Sequence, residues 1–578
     1  MKDSIKNIID RMTPDQKIGA VITFGMSGTV IRQSVVEAIQ KYHCSGIRIT
    51  PQCRSWYSYV DPKTGKTLVE IKDETGTKKG VTVSYCPAEE FAQVLRELQE
   101  LASCRPLGIG LHMSFDQEGG SSADFKMGGV NIFPKPMGIR SADNPSYAYE
   151  VALATAKQAR AVGLSWIHSP VLDINSNPDN PEICTRSYSD RVDEVIEYAE
   201  QAFQGFKDGG VIATGKHFPG RGDSNQDAHF SVPVSETPID ILNARELLPY
   251  RHLIAKKMIP TIMLAHNIYQ SLDEDEIATV SKRIITDLLR GELGFEGVVT
   301  TDSMTMSGIA TRYGIADGCA KSLQAGADIV LMKADNHLQE DTFNAIKQYV
   351  DQGKISEEDL DAKIYRILSL KSEYGLIEAD KINPDNDIKS VLREPETINL
   401  SHELAEKSVM MVRDNIDNIP LPTDKPILVI EQATLGEVND YWWHSGMLTE
   451  YCHKYNSNVQ LLETGVMADE SDYTRVEAAI KDYDYVLMTN YFFRSKVPNN
   501  KLVEKVCQSV ENVVLVTNTP YRLNTPDMAE SVILTLATSP RNLEVVAGVA
   551  FGEIEPEGVW PVLDNSIRKE VGELIAAN

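Results

Sequence analysis

Eight short apolar runs recur along the first part of the chain, and segments with helical spacing separate them. The runs are IGAVITF (18–24), SGIRIT (45–50), LGIGLHMSF (107–115), LSWIHSPVLDI (164–174), VIATGKHF (211–218), PTIMLAH (260–266), GVVTTD (297–302) and ADIVLM (327–332). Near-continuous apolar strands that alternate with helices are typical of a parallel sheet buried on both faces. Eight of them predict an α/β fold, a (β/α)8 TIM-like barrel with insertions.

The spacing of apolar positions also predicts a helix between two of these runs. In SKRIITDLLRGELGF (281–295), Ile284, Ile285, Leu288 and Leu289 fall on one stripe of a 3.6-residue helix. The segment begins with a serine and ends near glycines, which are typical residues at the two ends of a helix. A helix here leads directly into the run GVVTTD, as a βα repeat requires.

The chain, at 578 residues, is too long for one hydrophobic core. Residues 51–88 alternate in polarity around a PKTGK turn and predict a β-excursion inserted into the barrel. A polar, Pro- and Asp-bearing stretch predicts a linker over 376–400. The runs PILVIEQ, NVQLLET, DYVLMTNYF, NVVLVTNTP and SVILTLAT follow it and predict a parallel sheet with helices on both faces. We therefore predict a barrel domain over 1–375 and a second, smaller α/β domain over 401–578.

The charge balance narrows the choice of partner. The formal net charge is −26, and nucleic acids and anionic membranes are polyanions that select basic surfaces, so we expect neither as a partner. The N-terminal segment contains no apolar signal stretch, and the chain contains no 18-residue apolar run. We therefore predict a cytoplasmic protein without membrane spans.

The eight cysteines are scattered, with no CxxC pair and no His/Cys cluster at zinc spacing. Structural disulfides are rare in the cytosol, so we expect mostly buried thiols, with a Cys44–Cys53 disulfide left open as an alternative. Since the sequence supplies no ligand cluster, we predict neither a metal nor an organic cofactor.

Polar side chains follow the apolar runs at the places where barrel strands end. In a barrel of this kind the carboxyl ends of the strands carry the active site, so these residues are the first candidates for chemistry. They follow six of the eight runs and are Asp116, Glu118, Asp173, Arg186, Lys216, His217, Asp227, His229, His266 and Asp302. Turns favour Asp for structural reasons as well, so the signal is their joint placement.

Several of these candidates have structural alternatives that the residues alone leave open. Asp302 ends the run VVTTD and is either the N-cap of a following helix or a catalytic carboxylate. His229 is either a solvated loop histidine or a proton-transfer group whose basicity Asp227 raises. Lys216 and His217, in KHFPGRG, suit a grip on ligand hydroxyls, and a plain loop or a phosphate-binding loop is also compatible. The segment lacks the P-loop pattern, which disfavours nucleotide hydrolysis.

Seven segments, in order, resemble glycoside hydrolase family 3 and, within it, the β-N-acetylglucosaminidase (NagZ-like) branch. They are RMTPDQKIGAV, SFDQEGG, SPVLDINSNPDNPEICTRSYS, KHFPGRGDSNQDAH, IMLAHNIYQSLDED, ELGFEGVVTTDSMTMSGI and AGADIVLM, and they run over most of residues 10–370. KHFPG followed by D-x-H is specific to that branch. The second half is similar to the C-terminal α/β sandwich of the family and ends in FGEIEPEGVWPV. The resemblance covers nearly the whole chain.

The resemblance implies a retaining, exo-acting glycoside hydrolase that removes a non-reducing-end β-linked N-acetylhexosamine, with N-acetylglucosamine as the expected sugar. Asp302 matches the nucleophile that forms the covalent glycosyl intermediate, and His229 with its partner Asp227 matches the acid/base. Four residues match the family positions that bind the hydroxyls of the sugar: Asp116, Arg186, Lys216 and His217. The expected partner is a small carbohydrate.

The chain departs from this branch directly after DQEGG, where members commonly carry arginines that help to hold the sugar. Ser121 and Asp124 stand in their place, and Lys126 is a candidate to compensate. The identity of the sugar is therefore open, and a family 3 β-glucosidase or β-xylosidase is an alternative.

A histidine acid/base also opens an alternative for the acceptor. Because a neutral histidine does not repel an anion, phosphate could replace water, which would make the enzyme a β-glycoside phosphorylase. Arg221 is then a candidate phosphate contact, and a surface arginine is the other interpretation of this residue. The non-enzymatic alternative is an inactive barrel that binds sugar.

Overall fold

Eight parallel strands close into a barrel, in a computed structural model that describes residues 2–50, 71–72, 78–79, 87–120, 122–125, 129–384, 387–433, 446–494 and 497–568. The strands are Ile22–Ser27 (β1), Gly46–Thr50 (β2), His112–Phe115 (β3), Trp166–Ile167 (β4), Ile212–Phe218 (β5), Thr261–Leu264 (β6), Val298–Ser303 (β7) and Ile329–Met332 (β8). They lie in chain order around the ring, and β8 pairs with β1. Each overlaps one of the eight apolar runs, so the predicted barrel is confirmed.

Helices alternate with these strands along the chain. They are Lys2–Ile9, Pro14–Gly19, Gln33–Gln40, Ala88–Ser103, Pro136–Arg140, Ser146–Val162, Val192–Asp208, Ile239–Ala244, Leu248–Ala255, Ser307–Tyr313, Ile315–Ala325, Leu338–Asp351 and Glu357–Glu373. The helix predicted over 281–295 spans Arg283–Glu292 and has π-type hydrogen bonding. Its four stripe residues are buried, as the apolar spacing predicts.

A second sheet of six strands follows the barrel. Its strands are Val409–Asp414 (β9), Ile427–Ala433 (β10), Val459–Gly465 (β11), Tyr485–Asn490 (β12), Asn512–Thr517 (β13) and Ser531–Thr535 (β14), in the order β9-β14-β13-β12-β10-β11. The five predicted runs form parallel strands, while β9 adds an antiparallel edge to β14. The helices of this part are Pro395–Lys407, Met447–Cys452, Glu470–Ala479, Asn500–Ser509 and Pro540–Ala550. The predicted two-part α/β architecture is confirmed.

The predicted insertion and linker are described in part. Within 51–88, Ile71–Lys72 pairs antiparallel with Lys78–Lys79, and most of the remaining insertion lies outside the described residues. The stretch over 376–400 contains the helix Ile388–Leu392, in which Leu392 is buried against the barrel core. The domain limits themselves stay a prediction.

The cysteine and membrane predictions have separate outcomes. Of the six described cysteines, Cys44, Cys184, Cys319 and Cys452 are buried free thiols, whereas Cys104 is exposed and Cys507 is half-buried. Cys53 lies outside the described residues, so the Cys44–Cys53 alternative stays untested. Among the described residues, none of the helices combines the length and the apolar character that a membrane span needs. The cytoplasmic location stays a prediction.

The second part of the chain packs against the barrel through apolar and polar contacts. Met137 and Cys184 of the barrel lie in the same apolar cluster as core residues of the second sheet. Arg140 donates to the carbonyl of Trp560 (3.1 Å), and the amide of Leu563 donates to Asp190 (2.9 Å). These contacts bring the second sheet beside the loops that follow the barrel strands.

The loop after β5 is held by the loop after β4. The amide of Asn177 donates to the carbonyl of Gly222 (3.2 Å), and the side chain of Asn180 donates to the carbonyl of Arg221 (2.9 Å). The backbone packs so closely that a Cβ atom at Gly222 would lie 1.6 Å from the carbonyl oxygen of Ile174. Only glycine therefore fits between the two loops.

We predict that Gly222→Ala lowers the free energy of unfolding by about 2 kcal/mol, because overpacking forces the backbone to move. Thermal unfolding would register the change as a lower Tm. Gly291→Ala is the matched control, since its Cβ would meet its nearest atom, the carbonyl oxygen of Thr286, at 3.4 Å. This control should keep or slightly raise the Tm, and an unchanged Tm for Gly222→Ala would contradict the proposed close packing.

Candidate active site

A large cavity opens where the carboxyl ends of the barrel strands meet. It has a volume of about 620 Å³ and is mostly lined by loops of the barrel. Phe492, Phe493 and Arg494, which follow β12 of the second sheet, complete its wall. The predicted site residues that line it are Asp116, Glu118, Arg186, Lys216, His217, Arg221, His229 and Asp302. The structure thus brings together candidates that are spread over almost 190 positions of the sequence.

Asp302 lies near the end of β7 and faces the cavity. Its Oδ1 accepts a hydrogen bond from the amide of Ser303 (2.7 Å), and Arg221 Nη2 lies 3.6 Å from its Oδ2. Burial would raise the pKa of Asp302, but the charge of Arg221, the two histidines His266 and His229 and the amide of Ser303 together outweigh it and hold the pKa below its usual range. The next helix begins only at Ser307, with Met306 at its N-cap. Asp302 is therefore an ionised cavity carboxylate and does not cap a helix.

His229 lies on the loop after β5 and is bound by two carboxylates. Its Nδ1 lies 2.8 Å from Asp227 Oδ1 and 3.3 Å from Glu182 Oε1. Burial lowers the pKa of His229, but the hydrogen bond to Asp227 and the nearby carboxylate of Glu182 outweigh it, so the pKa is raised above its usual value. The ring is oriented on one edge and is not a freely solvated loop side chain.

Arg494 contacts the same imidazole near both of its nitrogens, since its Nη1 also lies 3.4 Å from His229 Nδ1. Arg494 Nη1 lies 3.1 Å from His229 Nε2. A guanidinium can only donate hydrogen bonds, and the carboxylates at Nδ1 can only accept them when ionised. Nδ1 therefore carries a proton that it donates to Asp227, and the positive charge of Arg494 lies beside both ring nitrogens.

Asp116 is fixed by two cations. Lys216 Nζ lies 2.9 Å from its Oδ1, and Arg48 donates to its Oδ2 from within β2. Burial raises the pKa of Asp116, and the two positive charges outweigh it and hold that pKa well below the usual range. Arg48 also pairs with Asp124 (2.5 Å), the residue that stands where the expected arginine is missing. Asp116 therefore presents an ionised, oriented carboxylate to the cavity.

Glu118, which also lines the cavity, binds two cations. Arg186 binds it through two hydrogen bonds (Nε to Oε2, 2.7 Å; Nη2 to Oε1, 2.9 Å), and Lys216 Nζ lies 2.5 Å from Oε1. Burial would raise the pKa of Glu118, but Arg186 and Lys216 lower it to about 2. Lys216 is therefore held between two carboxylates with its ammonium group directed at the cavity wall.

Asp173 supports the floor of the site from below the strand ends. Its carboxylate binds His217 Nδ1 (2.7 Å) and the amide of Arg221 (2.8 Å). Burial raises the pKa of Asp173 to about 6, and burial together with the charge of Arg221 lowers the pKa of His217 well below its usual value. His217 is thus a neutral ring, and its Nε2 lies 3.9 Å from Asp302 Oδ2.

Three further residues were candidates for the site from the sequence, namely His266, Arg221 and Lys126. His266 is fully buried, binds Thr279 and the carbonyl of Ser303, and is not among the residues that line the cavity. Arg221 is only 1% exposed, so the interpretation as a surface arginine is wrong, because Glu182 (3.0 Å) and Asp302 hold it inside. Lys126 and Ser121 lie outside the described residues, and compensation by Lys126 stays untested.

Sequence reasoning missed several residues of the site, among them Arg48, Glu182 and Arg494. Arg48 had a visible signal, because it is the one charge inside the otherwise apolar run SGIRIT. Glu182 lies within a quoted segment of the resemblance but follows no apolar run directly. Arg494 had no signal, since it reaches the cavity from the second sheet, 265 residues after His229.

One group of side chains has metal-ligand geometry. Glu182, Asp227 and His229 each place a potential ligand atom within 4.8 Å of the others. Two guanidinium groups already contact this group, Arg221 at Glu182 (3.0 Å) and Arg494 at His229 (3.1 Å). Arg221 therefore compensates the charge of Glu182, while Asp227 binds His229 Nδ1.

Comparison with known proteins places these observations in a family. The family described as "Glycosyl hydrolase family 3 N terminal domain" matches residues 15–370. "Beta-hexosaminidase A" of Pseudoalteromonas piscicida is 30% identical over 374 residues, which are 60% of this chain and 62% of that protein. "Beta-N-acetylglucosaminidase/beta-glucosidase" of Cellulomonas fimi is 25% identical over 513 residues, covering 84% and 88% of the two chains.

A solved structure resembles nearly the whole chain. It is a glycoside hydrolase family 3 beta-N-acetylglucosaminidase from Paenibacillus sp. str. FPU-7, with a TM-score of 0.81 and 27% identity. The match covers 95% of this chain and 99% of that one. The family match to the barrel and the likeness of both parts of the fold lead to one conclusion: the chain belongs to glycosyl hydrolase family 3 and is a glycoside hydrolase.

Proposed function

We propose that the chain is a retaining, exo-acting β-N-acetylhexosaminidase that removes a non-reducing-end N-acetylglucosamine. The observation that carries the proposal is that an ionised carboxylate, Asp302, and an aspartate-bound histidine, His229, face one cavity. A retaining glycosidase needs one group that attacks the anomeric carbon and a second that exchanges protons with the leaving oxygen and with water. The names of the relatives above support the choice of sugar.

In the first step, Asp302 forms a bond to the anomeric carbon while the bond from that carbon to the leaving oxygen breaks. The leaving oxygen takes the proton from His229 Nε2, which leaves the imidazole neutral. Asp302 suits this role because Arg221 and the other groups around it keep its pKa low and the carboxylate ionised. Asp227 suits its role because it fixes the proton on Nδ1 and stabilises the imidazolium.

In the second step, water attacks the anomeric carbon and the ester bond to Asp302 breaks. His229 Nε2 takes the proton of the water, so both groups return to their starting states. The raised pKa of His229 keeps part of the population protonated near neutral pH, as the first step requires. The lowered pKa of Asp302 keeps the nucleophile ionised over the same range.

Four polar residues would hold the hydroxyls of the sugar: Asp116, Arg186, Lys216 and His217. All four line the cavity, and each is fixed by a charged neighbour within hydrogen-bonding distance. Arg48 orients Asp116 from within β2 and would contribute to the grip through that carboxylate. A fixed grip of this kind lets binding energy position the anomeric carbon against Asp302.

Phosphorolysis is a second candidate activity. Lys135 and Arg494 line the cavity, and neither forms an ion pair with a carboxylate within the part of the chain that the structure describes. Burial lowers the pKa of Lys135 to about 8, so it remains largely protonated at neutral pH. An incoming phosphate would meet attraction from these two cations and no charge repulsion from a neutral His229.

We predict that a panel of β-nitrophenyl glycosides is cleaved fastest when the sugar is N-acetylglucosamine, with glucose and xylose far slower. Each substrate is measured with and without phosphate, and release of nitrophenol and the sugar product are followed. Sugar 1-phosphate as the product would assign the phosphorylase activity. Preference for glucose or xylose would contradict the proposed sugar, and no cleavage of any substrate would favour an inactive sugar-binding barrel.

We predict that Asp302→Ala lowers kcat by about 10⁴-fold or more, because the covalent step then has no nucleophile. Asp287→Ala removes an exposed carboxylate from the preceding helix and is the matched control, with unchanged kcat expected. A loss of less than tenfold in Asp302→Ala would show that another group attacks the anomeric carbon.

We predict that the loss of rate in His229→Ala depends on the leaving group of the substrate. Hydrolysis of the β-linked disaccharide of N-acetylglucosamine should fall by about 10²- to 10⁴-fold, since its alcohol needs a proton. Formation of the covalent intermediate from a dinitrophenyl glycoside should change by less than about tenfold, because this group leaves as an anion without protonation. Equal losses on the two substrates would argue against His229 as the acid.

A further inference from the structure

We infer that His168 is a further specificity-determining residue of the cavity, and that its imidazole binds the same hydroxyl of the non-reducing-end sugar as Asp116. This inference rests on the proposed function, because it concerns how that sugar is recognised. His168 directly follows β4 and lines the cavity. The strand that carries it lies between β3 and β5 in the barrel, so His168 is placed between Asp116 and Lys216.

The register of the barrel brings His168 beside Asp116. Phe115 of β3 pairs with Ile167 of β4, so the next positions along the two strands are Asp116 and His168. The amide of His168 donates to the carbonyl of Phe115 (2.9 Å), which continues the ladder. Side chains at such paired positions point to the same face of a sheet. As a result, His168 Nδ1 lies 3.9 Å from Asp116 Oδ1.

The imidazole of His168 is buried and still lacks a hydrogen-bond partner among the described residues. His168 is only 4% exposed. Asp116 Oδ1, at 3.9 Å, is too distant for a direct hydrogen bond to Nδ1. Buried polar groups almost always have a partner, so a ring that lacks one at the wall of a cavity points to a ligand that supplies it.

The surroundings of His168 keep its ring neutral. Burial lowers the pKa of His168 to about 3, against the opposite effect of Asp116 and Asp302. The positive charges of Arg48 and Lys216 act in the same direction as burial. A neutral imidazole carries one donor and one acceptor, whereas an ionised carboxylate can only accept and an ammonium can only donate. His168 therefore adds a neutral donor beside the charged groups of the wall.

One hydroxyl oxygen can bind both side chains at once. A hydrogen bond spans about 2.7 to 3.0 Å, so an oxygen between two atoms that are 3.9 Å apart reaches both. The hydroxyl would donate to Asp116 Oδ1 and accept from His168 in the tautomer that carries its proton on Nδ1. A sugar without this hydroxyl would leave two buried groups unpaired, and a site of this kind rejects such an analogue strongly.

The test measures kcat/KM on nitrophenyl β-N-acetylglucosaminides that each lack one hydroxyl, at position 3, 4 or 6 of the sugar. The wild-type protein should cleave one of the three about 10²-fold more slowly than the parent glycoside. His168→Phe keeps a planar ring and removes both nitrogens. This variant should lose about tenfold or more on the parent glycoside and less than about threefold on that one analogue. Equal losses on the parent and on all three analogues would overturn the inference, because a residue that only supports packing acts on every substrate alike.

Three further variants complete the series. His168→Ala repeats the test without an added apolar ring and should lose the discrimination to the same extent. His168→Asn places an amide nitrogen about as far along the side chain as Nδ1, so it should retain more of the discrimination than His168→Ala. His402→Phe changes an exposed histidine on the helix Pro395–Lys407 and is the matched control, with unchanged kcat/KM expected on all substrates.

A binding measurement separates this inference from the proposed function. Calorimetry of N-acetylglucosamine with the full-length Asp302→Ala variant needs no turnover. Addition of His168→Ala to that variant should weaken binding about tenfold, because one hydrogen bond to the sugar is lost. Unchanged affinity would overturn the inference, whereas failure of the proposed function would be seen as absent cleavage of the parent glycoside by the wild-type protein.

Discussion

A single buried guanidinium links the two reacting sides of the cavity. Arg221 lies between Glu182, which binds His229, and Asp302, and its own amide binds Asp173 beneath them. A buried cation of this kind is costly unless it is compensated, and here the compensating carboxylates are themselves parts of the site. The same residue therefore ties the loop after β5 to both walls of the cavity and is one of the groups that keep Asp302 ionised.

The other carboxylates of the cavity wall are also buried together with cations that compensate their charge. Glu118 is bound by Arg186 and Lys216, and Asp116 is bound by Lys216 and Arg48. Each side chain is oriented by a partner of opposite charge, so the site is organised before any ligand enters. Because the partners come from different strands, the neighbouring strands β2 to β5 must assemble before these pairs can form.

Much of this arrangement could be predicted from the sequence, and the reason is physical. The eight apolar runs predict the barrel because a parallel sheet buried on both faces admits few polar residues, and a polar residue at the end of a run then marks the site. This rule brought Asp116, Lys216, His229 and Asp302 to one cavity. His266 obeys the same rule and lies outside the cavity lining, since position after a strand does not determine the direction of a side chain.

Contacts between distant parts of the chain could not be predicted in this way. The burial of Arg221 depends on two carboxylates from other loops, and its own neighbours, glycines on both sides, are typical of an exposed turn. The contribution of Arg494 depends on how the second sheet docks on the barrel. That docking is made by scattered contacts, such as Arg140 with the carbonyl of Trp560, which leave no periodic pattern.

The docking of the second sheet has a consequence for the order in which the site is completed during synthesis. All the carboxylates of the cavity are present once the barrel has left the ribosome, whereas Arg494 follows His229 by 265 positions. The segment around Trp560, which fastens the second sheet to the barrel, is made later still. In a nascent barrel, His229 would therefore lie beside two carboxylates without the arginine. Its pKa would reach the final value only when the last part of the chain has folded.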